Sequence, residues 1–145
     1  MTPARCRDDE GNALVEFTYL SVLLMVPLVY VLISVFLVQR AAFGATEAAR
    51  QAGRAFARAA TVEEGEAQAA AAARLALRDQ GITDAGPPTY QCLGGPCLAP
   101  GTRVAVTVTY GVRLPVFGAL LGSGSGGTIP VTATHVAYVD VFKAP

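Results

Sequence analysis

The chain has 145 residues, Lys+Arg 11 against Asp+Glu 11, and a hydrophobic share of 52%. That length holds one small domain beside any membrane segment, since domains commonly run about 100 to 150 residues. The even charge balance carries no basic footprint, so a nucleic-acid partner is excluded from the expectations.

Residues 1–10, MTPARCRDDE, are polar, with Arg5 and Arg7 ahead of three consecutive acids. From Phe17 to Val38 there follow 22 residues without a formal charge, dominated by Leu, Val, Phe and Tyr. At a rise of about 1.5 Å per residue this run reaches roughly 33 Å, matching a hydrocarbon core of about 30 Å. The run predicts a single membrane-spanning helix and makes the lipid bilayer the first expected partner. Pro27 lies inside it and is expected to kink the helix, a feature membranes tolerate where neighbours satisfy the freed carbonyl.

Glu16 stands at the lip of the apolar run, five residues after Gly11. A carboxylate costs about 2.5 to 3.5 kcal/mol at mid-bilayer, and less near the edge, so this one calls for a cation or for headgroup water. A secretory signal peptide competes as a reading of the N-terminus, with small residues at Ala41, Ala42 and Ala45. The apolar segment is longer than the roughly 7 to 15 residues of an h-region, and the Asp8-Asp9-Glu10 run suits an n-region poorly.

The series Gly11, Asn12, Ala13, Leu14, Val15, Glu16 and Phe17 sets a glycine behind a short charged leader, then four mostly apolar residues, then Glu and an aromatic. This arrangement resembles the processing site of type IV pilin-like proteins. With the Ala/Arg-rich helix and small β region that follow, the chain resembles the TadE-like pseudopilins of tight-adherence (Flp-type) pilus systems. The resemblance implies cleavage by a prepilin peptidase between Gly11 and Asn12. It implies that Glu16 pairs with the new N-terminus of a neighbouring subunit, with Phe17 as the motif aromatic. Other pilin or pseudopilin subunits and the pilus assembly platform are the remaining implied partners. The plain alternative for Glu16 is a juxtamembrane acid facing headgroups.

Beyond the span, residues 40–60 continue as a helix in which Ala41, Ala45, Ala48, Ala52, Ala55 and Ala59 recur at alternating steps of four and three. This small-residue seam has coiled-coil period and predicts close helix approach, either to a second helix of the same chain or to another subunit. Arg50, Arg54 and Arg58 recur every four residues on another face, read as solvated or as meeting headgroups or a partner's acids. Four arginines follow the span within 20 residues and only two precede it, so a literal charge count favours the opposite topology to a pilin's. The expected orientation, N-terminus cytoplasmic and C-terminal part outside, rests on the cysteines. Thr61-Val62-Glu63-Glu64 reads as a capping box that starts a second helix running to about Gln80 and stopping at Gly81. The stretch from Ala67 to Ala73 has high helix propensity and little to bury, which predicts weak tertiary anchoring.

After Pro87 and Pro88 the pattern changes to period two. Short strand Thr89 to Cys92 leads into LGGP. Arg103 to Tyr110 and Thr128 to Phe142 alternate and are expected to pair antiparallel, with Val104, Val106 and Val108 on one face of the first. Between them Val112, Leu114, Val116, Phe117, Leu120 and Leu121 form an apolar connection whose end, Gly122 to Gly127, reads as a flexible linker. Cys92 and Cys97 bracket the LGGP turn and are placed to form a disulfide, whereas Cys6 would leave with the leader. A disulfide persists in oxidising compartments. A C-x4-C metal half-site is the rival, without a second pair to complete it, so no metal and no cofactor are expected.

No catalytic constellation emerges. His135 is the lone histidine and sits in a strand, with Asp140 five residues on and therefore expected on the opposite face. The expectation is a non-enzyme of α+β class: leader 1–11, transmembrane helix 12–38, extracytoplasmic helices 39–81 and a small β domain 82–145. Its rivals are a membrane-anchored exported binding or adhesion domain that does not polymerise, and a secreted protein freed by signal peptidase.

Overall fold

The computed structural model describes residues 10–114 and 127–142, with side chains from Ala13 onward. The class is α+β: helix α1 Glu10–Arg58, helix α2 Val62–Asp79, then strands β1 Thr89–Leu93, β2 Arg103–Arg113 and β3 Thr128–Tyr138. The chain divides into two compact units, Met1–Phe36 and Leu37–Pro145.

The first unit consists, as far as it is described, of the N-terminal part of α1. Its helix passes through Pro27 without interruption. Two hydroxyls within it are satisfied locally: Thr18 donates to the Leu14 carbonyl at 2.8 Å and Ser34 to the Tyr30 carbonyl at 2.9 Å. Apolar side chains are exposed all round this segment, from Leu14 to Phe36. A helix apolar on all sides is suited to the interior of a bilayer. The chain carries one helix of membrane-spanning length and composition among the described residues, with none of its apolar window buried.

The second unit packs the remainder of α1 and all of α2 against one face of a sheet ordered β1-β2-β3. Both pairings are antiparallel, and β2 pairs with β3 over eleven residues, from Arg103↔Tyr138 to Arg113↔Thr128. The strand alternation therefore sorts as its sequence demands. Val104, Val106 and Val108 are fully buried beneath the helices. Their cross-strand partners Ala137, His135 and Ala133 share that face, while Thr107 and Thr109 bond the hydroxyls of Thr134 and Thr132 on the other. Each buried valine contributes about 1.5 to 3 kcal/mol. Strand β3 ends at Tyr138, four residues short of the alternation read in the sequence, although Val139 still bonds Thr102 and Gly101 and stays buried as Ala137 does.

The alanine seam of α1 is core. Ala41, Ala45, Ala48, Ala52 and Ala59 are at most 2% exposed, and Ala55 is half-buried. The seam's partners lie within the same chain, in α2 and the sheet. Gly53 shows how closely helix and sheet approach: a Cβ there would stand 3.1 Å from the Ala137 Cβ and 3.3 Å from the His135 ring. Phe56 is the largest side chain in this core, wholly buried and stacked on Tyr90 with ring centroids 5.1 Å apart.

Helix α2 corrects one expectation. Ala69 and Ala73 are fully buried in the core cluster with Leu77, so the Ala-rich stretch is anchored, whereas Leu75 is exposed. Small side chains let α2 lie close against Phe56, and close contact replaces the area that bulk would have buried. The helix start follows the capping box with a shift of one residue. Thr61 accepts from the Glu64 amide at 3.2 Å, but the Glu64 carboxylate reaches back to the amide of Ala60, ahead of the cap. The end is a Schellman motif: Gly81 donates to the Arg78 carbonyl and Ile82 to that of Leu77, with Gly81 at φ +70°. Leu77 and Ile82 are both buried in the core cluster, the apolar pair that accompanies this motif.

Candidate functional site

Three sets of residues carry the sequence expectations: the Gly11–Phe17 series, the cysteine pair, and the polar groups around α1 beyond the span. Gly11 and Asn12 lie in the first turns of α1, which begins at Glu10. Glu16 is exposed in the first unit and makes no hydrogen bond or ion pair with any other described residue. Phe17 is 72% exposed. On a helix, residues 16 and 17 lie about 100° apart, so the acid and the aromatic occupy adjoining faces rather than one stripe. Around Glu16 the helix offers Leu14, Val15, Tyr19 and Leu20, all exposed. A carboxylate in that setting is a strong acceptor for any cation brought alongside, because low-dielectric surroundings raise the attraction well above its value in water.

Cys92 and Cys97 are joined by a disulfide, with Cα atoms 4.9 Å apart. Gly94 and Gly95, at φ +88° and +144°, supply the backbone that closes so short a loop after β1. The bond ties the end of β1 to the segment entering β2, and Leu98 beside it packs on the core.

Arg50, Arg54 and Arg58 are exposed, on the side of α1 away from the buried seam. Arg54 and Arg58 border a concavity of about 660 Å³ together with the end of β3. Strand β3 stops at Tyr138, so Asp140 lies beyond the last alternating residue; His135 and Asp140 both border the concavity, as do Val136 and Tyr138. The Asp140 carboxylate accepts from the Phe142 amide at 2.9 Å, which makes it a turn residue rather than a partner of the imidazole. Among the described residues no group of three His, Cys, Asp or Glu side chains is placed to hold a metal ion.

Sequence reading missed two features of this unit. Tyr90 donates to the Glu66 carbonyl of α2 at 3.3 Å, and burial, with a smaller contribution from the Glu66 carboxylate, raises its pKa above the usual tyrosine value. Arg40 lies against Gly81, where a Cβ would come within 2.5 Å of its guanidinium. Only the φ > 0 expected at a glycine stop hinted at this second contact. The apolar connection 115–126, with Val116, Phe117, Leu120 and Leu121, lies outside the described residues. Comparison with protein-family models, with curated proteins and with solved structures finds no match to this chain.

Proposed function

We propose that the chain is a pilin-like membrane subunit of the tight-adherence (Flp-type) kind, cut after Gly11 by a prepilin peptidase and drawn into an assembly through Glu16. The observation that carries the reading is Glu16 itself: exposed on a helix with apolar side chains on all sides, five residues beyond Gly11, and unpartnered among the described residues. Cleavage between Gly11 and Asn12 creates an ammonium on a chain end of the kind Glu16 lacks. Paired in lipid, the two offset the penalty of about 2.5 to 3.5 kcal/mol that an isolated charge meets at mid-bilayer.

In this reading the protein is a substrate of processing and a structural partner of other subunits and of the assembly platform, with no cofactor and no catalysis of its own. The Cys92–Cys97 disulfide supports an extracytoplasmic second unit and a cytoplasmic N-terminus. The experiment is direct. Intact-mass measurement of protein from membranes of its native host should give a chain beginning at Asn12, and a chain retaining residues 1–11 while functional would refute the processing step. Glu16→Ala should leave cleavage intact and reduce incorporation into assemblies at least tenfold. Equal incorporation would remove the role assigned to the acid.

A further inference from the structure

The apolar run of α1 ends at Val38, and its last two residues already belong to the second unit. Leu37, from that run, lines a concavity of about 140 Å³ with Arg40, Tyr110 and Arg113. An apolar residue from the end of the span and two arginines thus line one hollow. Arg40 reaches it from α1, resting on Gly81 at the C-terminal end of α2. Arg113 reaches it from the last residue of β2 and pairs with Asp84 at 3.5 Å. Both members of that pair are largely exposed, and such ion pairs are worth about 0 to 1 kcal/mol, so Arg113 is free to share its donors.

Depth singles out Arg40, and Arg113 lines the same hollow. Arg40 is two residues past Val38, about 3 Å along the axis, inside a headgroup layer roughly 5 to 8 Å thick. Arg50 is twelve residues past it, about 18 Å, and Arg54 and Arg58 lie further still, beyond that layer for any ordinary tilt. The charges around the hollow are Arg40, Arg113 and Asp84, which leave one net positive charge, matched by one singly charged headgroup. Guanidinium forks are suited to phosphate oxygens. We propose that the Arg40–Arg113 hollow seats the phosphate of an anionic lipid, of the phosphatidylglycerol class, at the membrane surface.

The test uses the full chain in phosphatidylcholine nanodiscs doped with phosphatidylglycerol, and reads retained lipid by native mass spectrometry. Wild type should retain phosphatidylglycerol in preference to phosphatidylcholine. Arg40→Gln and Arg113→Gln should each weaken that preference about fivefold, and the double variant on the order of 25-fold, from roughly 1 kcal/mol per arginine near an anionic surface. Arg54→Gln/Arg58→Gln removes the same charge outside the headgroup layer and should change nothing. Equal loss in that control overturns the site in favour of unspecific attraction, and so does an unaltered preference in the Arg40/Arg113 double variant. Displacement of the lipid by inorganic phosphate, at a total ionic strength held at about 0.15 M, would assign the hollow to free phosphate instead. Far-UV circular dichroism of each variant confirms that the fold is kept. Arg113→Gln alone, whose side chain is not the one that meets a Gly81 Cβ, carries the test if Arg40→Gln unfolds.

Discussion

Replacing Phe56 with Ala tests whether the core of the second unit is organised around one aromatic ring. The side chain is wholly buried, stacks on Tyr90 at 5.1 Å, and stands within 3.3 Å of where a Gly65 Cβ would lie. Truncating a buried Phe costs about 3 to 5 kcal/mol, of which the aromatic pair supplies about 0.5 to 1.5. A domain of this size has a total stability of about 5 to 15 kcal/mol, so Phe56→Ala should bring it close to unfolding. With about 4 to 8 °C lost per kcal/mol, the midpoint of the β and α2 signal by circular dichroism in micelles should fall by at least about 12 °C. The same cavity makes a second change favourable. Gly65→Ala meets the ring in wild type, but in the Phe56→Ala background it should regain about 1 kcal/mol, from helix propensity and from filling the void. A fall of less than about 4 °C for Phe56→Ala, or no rescue by Gly65→Ala, would refute the claim that this ring spaces the two helices.

Gly81→Ala should destabilise by about 1 to 3 kcal/mol, because the residue holds φ +70° and any Cβ meets Arg40. Gly86→Ala, with open space around its Cβ position, should be close to neutral in the same thermal assay. The Tyr90 phenol titrates above the usual tyrosine range in the folded chain, so the unfolded chain loses its proton first as pH rises. Stability should therefore decline above about pH 10, and less steeply in Tyr90→Phe, as read by denaturant midpoints from pH 9 to 11.5. Parallel decline in the two proteins would show that Tyr90 does not contribute.

How far the sequence disclosed this structure depended on which period a segment carried. The valines of β2 and the threonines beside them alternate cleanly, so the sheet face and the pairing with β3 could be read from residues alone. Cys92 and Cys97 were legible because LGGP leaves few conformations other than a reversal. The alanine seam was visible as a stripe, but its partner was not: an alanine signals close approach without saying to what. The same ambiguity hid the anchoring of Ala69 and Ala73, since hydrophobic area is a poor guide where contacts form by proximity rather than bulk. Asp140 could not be placed by alternation, which applies only while a strand continues, and β3 stops two residues earlier. Glu16 was legible only as a demand for a partner, and among the described residues it makes no hydrogen bond or ion pair.

Phe56 and the buried alanines of α1 also have a place in time. Synthesis proceeds from the N-terminus, so the helix that supplies one wall of this core is complete before α2 or any strand exists. The later segments then collapse onto a template already made. A nascent chain arrested near residue 80 would leave the part of that wall that meets the sheet bare, which makes the interval before the strands emerge the period of greatest dependence on a chaperone.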